Sequence, residues 1–260
     1  MRFYLRLLVG GLLAGAATTV HAQTASLPPP LRATLDTVAV TGTTRVLTLA
    51  AAPGPELPGF PMTPKIQKAV FYARPTLEHE YDLIAVRMLV SDEFNRSNTG
   101  QVLIDLVLPD SSTHGPSTRH LLPAPLLVTA REVRKAKKGL ITLDVRAQHI
   151  SIPATGVFVV AGGRPLPGDQ YLGDTLLLMN KREMRRAVYV KIGSSANPGA
   201  LRVVNATDFI SIREIRTAGQ PQSWDFNTRT GMWQQRQAAY SHCPKCVISN
   251  VGLELVVREL

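Results

Sequence analysis

The sequence is short of the patterns that most readily identify a function. Beyond the N-terminus, no apolar run in its 260 residues reaches the roughly 20 residues that span a bilayer, so we expect no transmembrane segment in the mature chain. It has no G-x-S-x-G elbow, phosphate loop or dinucleotide fingerprint. It also has no internal repeat of fixed period. These absences leave fold class and location as the properties that the sequence indicates.

The N-terminus has the pattern of a secretory signal peptide. Arg2 and Arg6 precede a short apolar run at residues 7–17 (LLVGGLLAGAA), and Ala22 ends a small-residue cleavage site. We therefore predict that residues 1–22 are a signal peptide and that the protein is exported to the periplasm, the outer envelope surface or the medium. The alternative is an uncleaved membrane anchor, although the run is shorter than a bilayer requires. No cysteine follows the cleavage site, so the usual lipoprotein attachment is absent.

The chain has fewer acidic than basic residues. The chain has 19 acidic and 29 basic residues and a net charge of +10, which suits nucleic acid, anionic lipid or an acidic polymer. Because an exported protein seldom meets nucleic acid, we expect no nucleic-acid partner. Two basic clusters, residues 131–138 and 181–186, are interpreted as solvated hairpin turns. The alternative is contact with an anionic envelope polymer or a lipid headgroup.

Composition divides the rest of the chain into two parts. Residues 23–64 are predicted to form a leader and a proline-rich connector, with a possible edge hairpin at residues 37–51. The five prolines of residues 52–64 exclude a central strand there. Residues 65–260 are predicted to form the folded domain.

Short β-like segments separated by turn residues fill this domain. Alternation is clearest at residues 101–108, where Val102, Ile104, Leu106 and Leu108 share one face. Such runs about every ten residues predict an all-β sandwich or barrel. The other predicted strands are residues 65–72, 81–91, 126–134, 140–145, 156–161 and 251–257, the last with Leu253, Leu255 and Val257 on one face.

Four segments carry a resemblance to a known family. They are residues 100–106 (GQVLIDL), 121–123 (LLP), 142–145 (TLDV) and 152–158 (IPATGVF). In these the chain resembles a poorly characterised family of exported bacterial proteins, sometimes found beside carboxypeptidase-regulatory-like domains. The resemblance implies a single jelly-roll-like antiparallel β-sandwich and an envelope location, but no established activity. The chain departs from the family at residues 161–164 (AGGR), where an acidic and an aromatic residue are usual.

The two cysteines lie close together near the C-terminus. Cys243 and Cys246 form a Cys-Pro-Lys-Cys motif beside His242. In an oxidising compartment they are predicted to form a structural disulfide. Free thiols, a redox pair and a metal site are the alternatives. Zinc would need a fourth ligand beyond these three residues.

Histidines and carboxylates show no spacing of a metal or catalytic site. We interpret the histidines of the mature chain as scattered surface residues and expect no metal and no cofactor; they are His79, His114, His120, His149 and His242. One group of carboxylates is interpreted as solvated charge, with calcium binding as the alternative; it comprises Glu78, Glu80, Asp82, Asp92 and Glu93. Nothing singles out a glycosidase pair.

Three aromatic residues in the C-terminal part support one specific binding hypothesis. Trp224, Trp233 and Tyr240 are candidates to stack on sugar rings if they are exposed on one sheet face, and core residues if they are buried. The functional prediction is therefore a non-catalytic exported envelope protein that binds or scaffolds, with a glycan or an envelope protein as partner. The alternatives are an extracellular polymer hydrolase, with loop carboxylates as acid and base, and an assembly or adhesion factor.

Overall fold

Strands are the main regular structure of the described residues. The computed structural model describes residues 35–41, 44–50, 54–91, 100–136, 138–164, 175–176, 187–191, 201–205, 208–217, 222–236 and 249–260. The predicted signal peptide, residues 1–22, and residues 23–34 of the predicted leader lie outside these residues.

The strands in chain order are β1 (Leu35–Thr41), β2 (Thr44–Ala50), β3 (Glu56–Pro61), β4 (Gln67–Tyr72), β5 (Tyr81–Leu89), β6 (Gln101–Pro109), β7 (Pro116–His120), β8 (Leu126–Thr129), β9 (Leu140–Asp144), β10 (Val157–Gly163), β11 (Thr175–Leu176), β12 (Ala187–Lys191), β13 (Leu201–Asn205), β14 (Ser211–Arg216), β15 (Ser223–Asn227), β16 (Met232–Gln235), β17 (Ser249–Val251) and β18 (Leu253–Glu259). The helices are α1 (Ala130–Lys135) and a short 3-10 helix (Arg146–Gln148). Among the described residues, no helix has the length and apolar content needed to cross a membrane.

The strands form two large sheets and two small ones, and the described strand pairs are antiparallel. The five-stranded sheet has the order β1-β2-β18-β5-β9. The seven-stranded sheet has the order β16-β15-β4-β10-β6-β7, with β8 also paired to β6. The three-stranded sheets are β17-β14-β3 and β11-β12-β13.

The two large sheets pack face to face around one apolar core. Val70 and Tyr72 of β4 lie in the same buried cluster as Leu253, Leu255 and Val257 of β18. The core cluster also contains Val102, Ile104 and Leu106, the alternating residues of β6, as predicted. The all-β antiparallel sandwich is thus confirmed, while the jelly-roll order of its strands stays a prediction.

The sheets begin earlier in the chain than residue 65, where the folded domain was predicted to start. β2 pairs with β18, and Leu47 and Leu49 bury their side chains in the common core. β1 and β2 form an antiparallel hairpin at the edge of this sheet, where the edge hairpin was expected. The proline-rich segment contributes β3, which is also an edge strand. Proline has no backbone N–H to donate, so it is tolerated at the edge of a sheet and not in a central strand.

One predicted strand is wrong in its second half. Residues 126–134 were expected to be extended, but β8 ends at Thr129 and α1 follows. The backbone N–H of Thr129 donates to the Glu132 carboxylate at 2.6 Å, which is half of a capping box. Ala130 and Val133, three residues apart, are the buried residues of this helix. The sequence therefore contained a helix-capping pattern followed by apolar residues at helical spacing. These favour a helix more strongly than the valine of this segment favours a strand.

A hydrogen bond joins the two large sheets inside the core, and it generates a prediction. The buried Tyr72 hydroxyl donates to the Leu253 carbonyl. Burial raises the pKa of the Tyr72 hydroxyl, and Glu254 raises it further, so the group remains a donor at neutral pH. We expect Tyr72→Phe to lower the free energy of unfolding by about 1–2 kcal/mol in urea, because a buried acceptor loses its partner.

The matched control is Tyr81→Phe. Its hydroxyl lies 3.2 Å from Thr76 Oγ1, and Thr76 is exposed and can bind water instead. We expect a smaller loss for this variant. Equal losses for the two variants would contradict the importance of the bond between the sheets.

Candidate functional site

The outer face of the seven-stranded sheet carries a second apolar cluster. Ala69, Val107 and Phe158 are buried there, at 0%, 4% and 0% exposure. Phe71, Val160, Trp224 and Trp233 pack against them. The cluster forms because β4 and β10 have apolar residues on both faces, so alternate side chains point away from the main core.

The β15–β16 hairpin supplies the aromatic part of this outer cluster. Phe226 pairs directly with Trp233 across the hairpin, and their ring centroids are 5.3 Å apart. Trp224, two residues before Phe226, meets Phe158 edge-on at 5.8 Å. Phe71 lies 5.0 Å from Phe158 on the neighbouring strand. These contacts hold the rings in place while Trp224, Trp233 and Phe226 each remain half-buried.

The loop between β6 and β7 reaches the same aromatic cluster. A Cβ on Gly115 would lie 3.0 Å from Trp224 Cζ3 and 3.4 Å from Trp233 Cβ, so only a glycine allows this approach without displacement. The Asp110 carboxylate accepts hydrogen bonds from the N–H groups of Ser112 and Thr113 at 2.9 and 2.8 Å. Together with the Ser112 hydroxyl, these bonds hold the pKa of Asp110 well below its ordinary value and close the turn.

A histidine and a carboxylate occupy the far side of this outer face. His120 of β7 pairs with Val107 of β6, and its Nδ1 lies 2.7 Å from Oδ2 of Asp105. The Asp105 side chain is 12% exposed and that of His120 is 56% exposed. The other Asp105 oxygen accepts the N–H of Leu106 at 2.7 Å. The sequence predicted a scattered surface histidine, and His120 is indeed exposed; its pairing with Asp105 is an addition that the sequence did not indicate.

A four-membered ionic cluster joins the seven-stranded sheet to the β17-β14-β3 sheet. Arg236 donates to Glu214 at 2.8 Å and to Asp225 at 2.9 and 3.1 Å. Lys68 lies 3.0 Å from Asp225 and 3.4 Å from Glu214. Ser249 donates to Glu214 at 2.7 Å and accepts from Arg236 at 3.0 Å. The Lys68 and Arg236 side chains are each 7% exposed, so both positive charges are buried.

The ionic cluster keeps its carboxylates charged. Burial alone would raise the pKa of Glu214, but Arg236, Lys68 and the Ser249 hydroxyl outweigh it and leave the pKa below its ordinary value. The pKa of Asp225 is lowered in the same way, against burial, by Lys68 and Arg236. The pKa of Arg236 is raised, because the two carboxylates outweigh its burial. Two positive and two negative charges therefore balance one another, with Lys68, Arg236 and Glu214 mostly buried and Asp225 44% exposed.

The loop carboxylates suggested by the sequence are not gathered into a site. Glu78 and Glu80 are exposed, and Asp82 lies 2.7 Å from Arg258 in an ion pair. Asp92 and Glu93 lie outside the described residues. Within the described part of the chain, no three side chains of the metal-binding types come together.

The predicted binding and disulfide residues have different outcomes. Trp224 and Trp233 share one face, and they are half-buried rather than fully exposed or fully buried. Tyr240, Cys243 and Cys246 lie outside the described residues, so the glycan-stacking role of the tyrosine and the disulfide stay predictions.

Sequence reasoning missed both ionic features. Lys68 lies on the same face as Val70 and Tyr72, and a lysine at an inward position was the available signal. Asp105 is the single charged residue of β6, which was the signal for an unusual carboxylate.

No family model matches the chain, and neither a curated protein nor a solved structure matches it.

Arg236 provides the first test of the ionic cluster. We expect Arg236→Met to lower the free energy of unfolding by about 3 kcal/mol, because it leaves the mostly buried Glu214 carboxylate without its arginine partner. The measurement is urea denaturation followed by tryptophan fluorescence. Arg229→Met, in the exposed turn after β15, is the control and should change stability little. A similar, small loss for both variants would contradict a structural role for the cluster.

The second test is the response of the ionic cluster to acid. A carboxyl whose pKa is lowered by folding stabilises the protein above its unfolded pKa, about 4, and this contribution is lost as the pH falls through the folded value. We expect the wild type to lose stability below about pH 4. Glu214→Gln should be less stable at pH 7 and should lose less on acidification.

The exposed Glu78→Gln variant serves as the control for removing one carboxylate. Its pH profile should follow that of the wild type. If Glu214→Gln showed the same acid sensitivity as Glu78→Gln, the ionic cluster would not be the source of the effect.

Proposed function

We propose that this chain is a non-catalytic exported protein that binds carbohydrate of the cell envelope. The observation that carries the proposal is the outer face of the seven-stranded sheet, where Trp224, Trp233 and Phe226 are half-buried beside one another. Aromatic rings held in one place lose little conformational freedom when a ligand binds. Their apolar faces suit the C–H groups of sugar rings.

An exposed polar side chain lies beside these rings. Gln235 of β16 is exposed on the same face as Trp233, whereas Met232 and Gln234, at the alternate positions of the strand, belong to the opposite face. Gln235 pairs with Trp224 across the hairpin, so a polar group and a ring lie on adjacent strands. Carbohydrate sites combine apolar contact with a few polar groups that set orientation. An envelope protein docking on the same face is the alternative partner.

Charge argues against the hydrolase alternative at a carboxylate pair that shares one arginine. Glu214 and Asp225 both accept from Nη2 of Arg236. A glycosidase needs one carboxyl with a raised pKa to protonate the leaving group. Both pKa values here are lowered instead. This pair therefore supports the fold and is unsuited to acid catalysis.

The proposed location follows from the N-terminal pattern. A basic start, a short apolar run and a small-residue cleavage site are typical of an exported protein. A carbohydrate of the envelope or the surroundings is a ligand that such a protein meets.

Retention on insoluble polysaccharide tests the proposal. Purified protein would be incubated with cellulose, chitin, xylan and peptidoglycan sacculi, and its depletion from solution measured. We expect retention on at least one of these without release of reducing ends. Trp233→Leu should weaken that retention roughly tenfold, because it removes a ring face while keeping an apolar side chain.

The matched control is Met232→Leu, an apolar exchange at the neighbouring, exposed position. It should leave retention unchanged, and circular dichroism should show the same strand content for both variants. Retention of no polysaccharide would contradict the proposal, and release of reducing ends would favour the hydrolase.

A further inference from the structure

Asp105 is a carboxylate in an unfavourable place. It lies in the middle of β6, on the outer face, directly opposite Val160 of β10, which packs against the outer apolar cluster. Burying a charge beside apolar side chains is costly unless it is paired and hydrogen-bonded. Both oxygens of Asp105 have a partner, Leu106 N–H on one and His120 on the other. A valine at this position would suit the surrounding side chains better.

The arrangement determines which nitrogen of His120 faces solvent. Because the ionised Asp105 carboxylate can only accept, Nδ1 of His120 donates to it across 2.7 Å. Neutral His120 therefore carries its lone pair on Nε2. Nε2 has no hydrogen-bonding partner among the residues that the structure describes, and the side chain is 56% exposed. The outcome is an acceptor held in one orientation at the surface.

His120 lies across the outer face from the tryptophans. It pairs with Val107, which pairs with Phe158, the residue that Trp224 contacts. Two strand spacings separate His120 from Phe158, which is about 10 Å. The acceptor and the aromatic rings thus lie on one face, far enough apart to contact different parts of one extended ligand.

We propose that His120 is the polar specificity-determining contact of this face. Its Nε2 accepts a hydrogen bond from a hydroxyl group of a neutral polysaccharide whose other sugar rings contact Trp224 and Trp233. Asp105 is a positioning residue that selects the tautomer. The inference rests on the proposed carbohydrate binding and adds to it the ligand chemistry, namely hydroxyl-bearing sugar without a required negative charge.

The first experiment measures binding by two histidine variants to cellulose, chitin, xylan and peptidoglycan sacculi. We expect His120→Ala to weaken retention roughly fivefold to tenfold, as for one lost hydrogen bond. His120→Gln, whose amide can both donate to Asp105 and accept from a hydroxyl, should keep most of it. The control is His79→Ala, because His79 is also half-exposed and faces a carboxylate, Glu259, but it lies before β5 and its partner is in the other large sheet. It should bind like the wild type.

The second experiment tests the positioning role of Asp105. Nitrogen NMR of the imidazole should show His120 protonated at Nδ1 in the wild type. In Asp105→Ala the Nδ1–H form should lose its predominance, and retention should fall with it. The double variant Asp105→Val, His120→Val should keep or raise the melting temperature, because an apolar pair suits the surrounding residues.

The outcomes separate this inference from the proposed function. Retention that is lost in Trp233→Leu but unchanged in His120→Ala would overturn the role of His120 and leave carbohydrate binding intact. Retention of no polysaccharide by the wild type would overturn both. A double variant with a much lower melting temperature would show that the pair serves the fold, and would also overturn the inference.

Discussion

The central strands of the seven-stranded sheet are buried on both faces, and the other features depend on this constraint. In β10, Val157, Phe158 and Val159 are exposed by 1%, 0% and 0%, although successive side chains of a strand point to opposite sides. An antiparallel sheet commonly leaves one face in water. Here the inner face packs on the five-stranded sheet. The outer face is covered by the Trp224 and Trp233 side chains of β15 and β16, which continue the same sheet, and by the loop that ends at Gly115. The tryptophans thus bury apolar side chains of the neighbouring strands.

The burial of both faces also explains which features of the fold could be predicted from local sequence patterns and which could not. Alternation in β6 and β18 identified the core residues, because each strand places one apolar set toward the partner sheet. The segments at β4 and β10 are apolar without alternation, and such runs indicate burial without saying which face meets which partner. The short helix α1 was missed because its capping residues were read together with the strand before it. Strand positions were thus predictable, whereas the layer that covers the outer face was not.

The charged groups were harder to predict, for a reason of distance along the chain. Lys68 meets Glu214 and Asp225 across 146 and 157 residues, and no local pattern indicates which charges will be brought together at such separations. Asp105 and His120 are 15 residues apart in neighbouring strands of one hairpin. The pairing could have been predicted from the register of this hairpin. The register depends, however, on where the loop at residues 110–115 turns, and the hydrogen bonds of Asp110 determine that position.

The two ionic features differ in how completely they are satisfied, and this difference separates support of the fold from recognition. In the ionic cluster every carboxylate oxygen of Glu214 and Asp225 has a donor, and the three guanidinium nitrogens of Arg236 all donate. Such a set leaves none of its four charges uncompensated. The Asp105–His120 pair is closed on its buried side and open at Nε2, beside a face rich in aromatic side chains. A buried carboxylate that orients an exposed acceptor contributes less to packing than an apolar residue would, and the proposed role in recognition would account for its position.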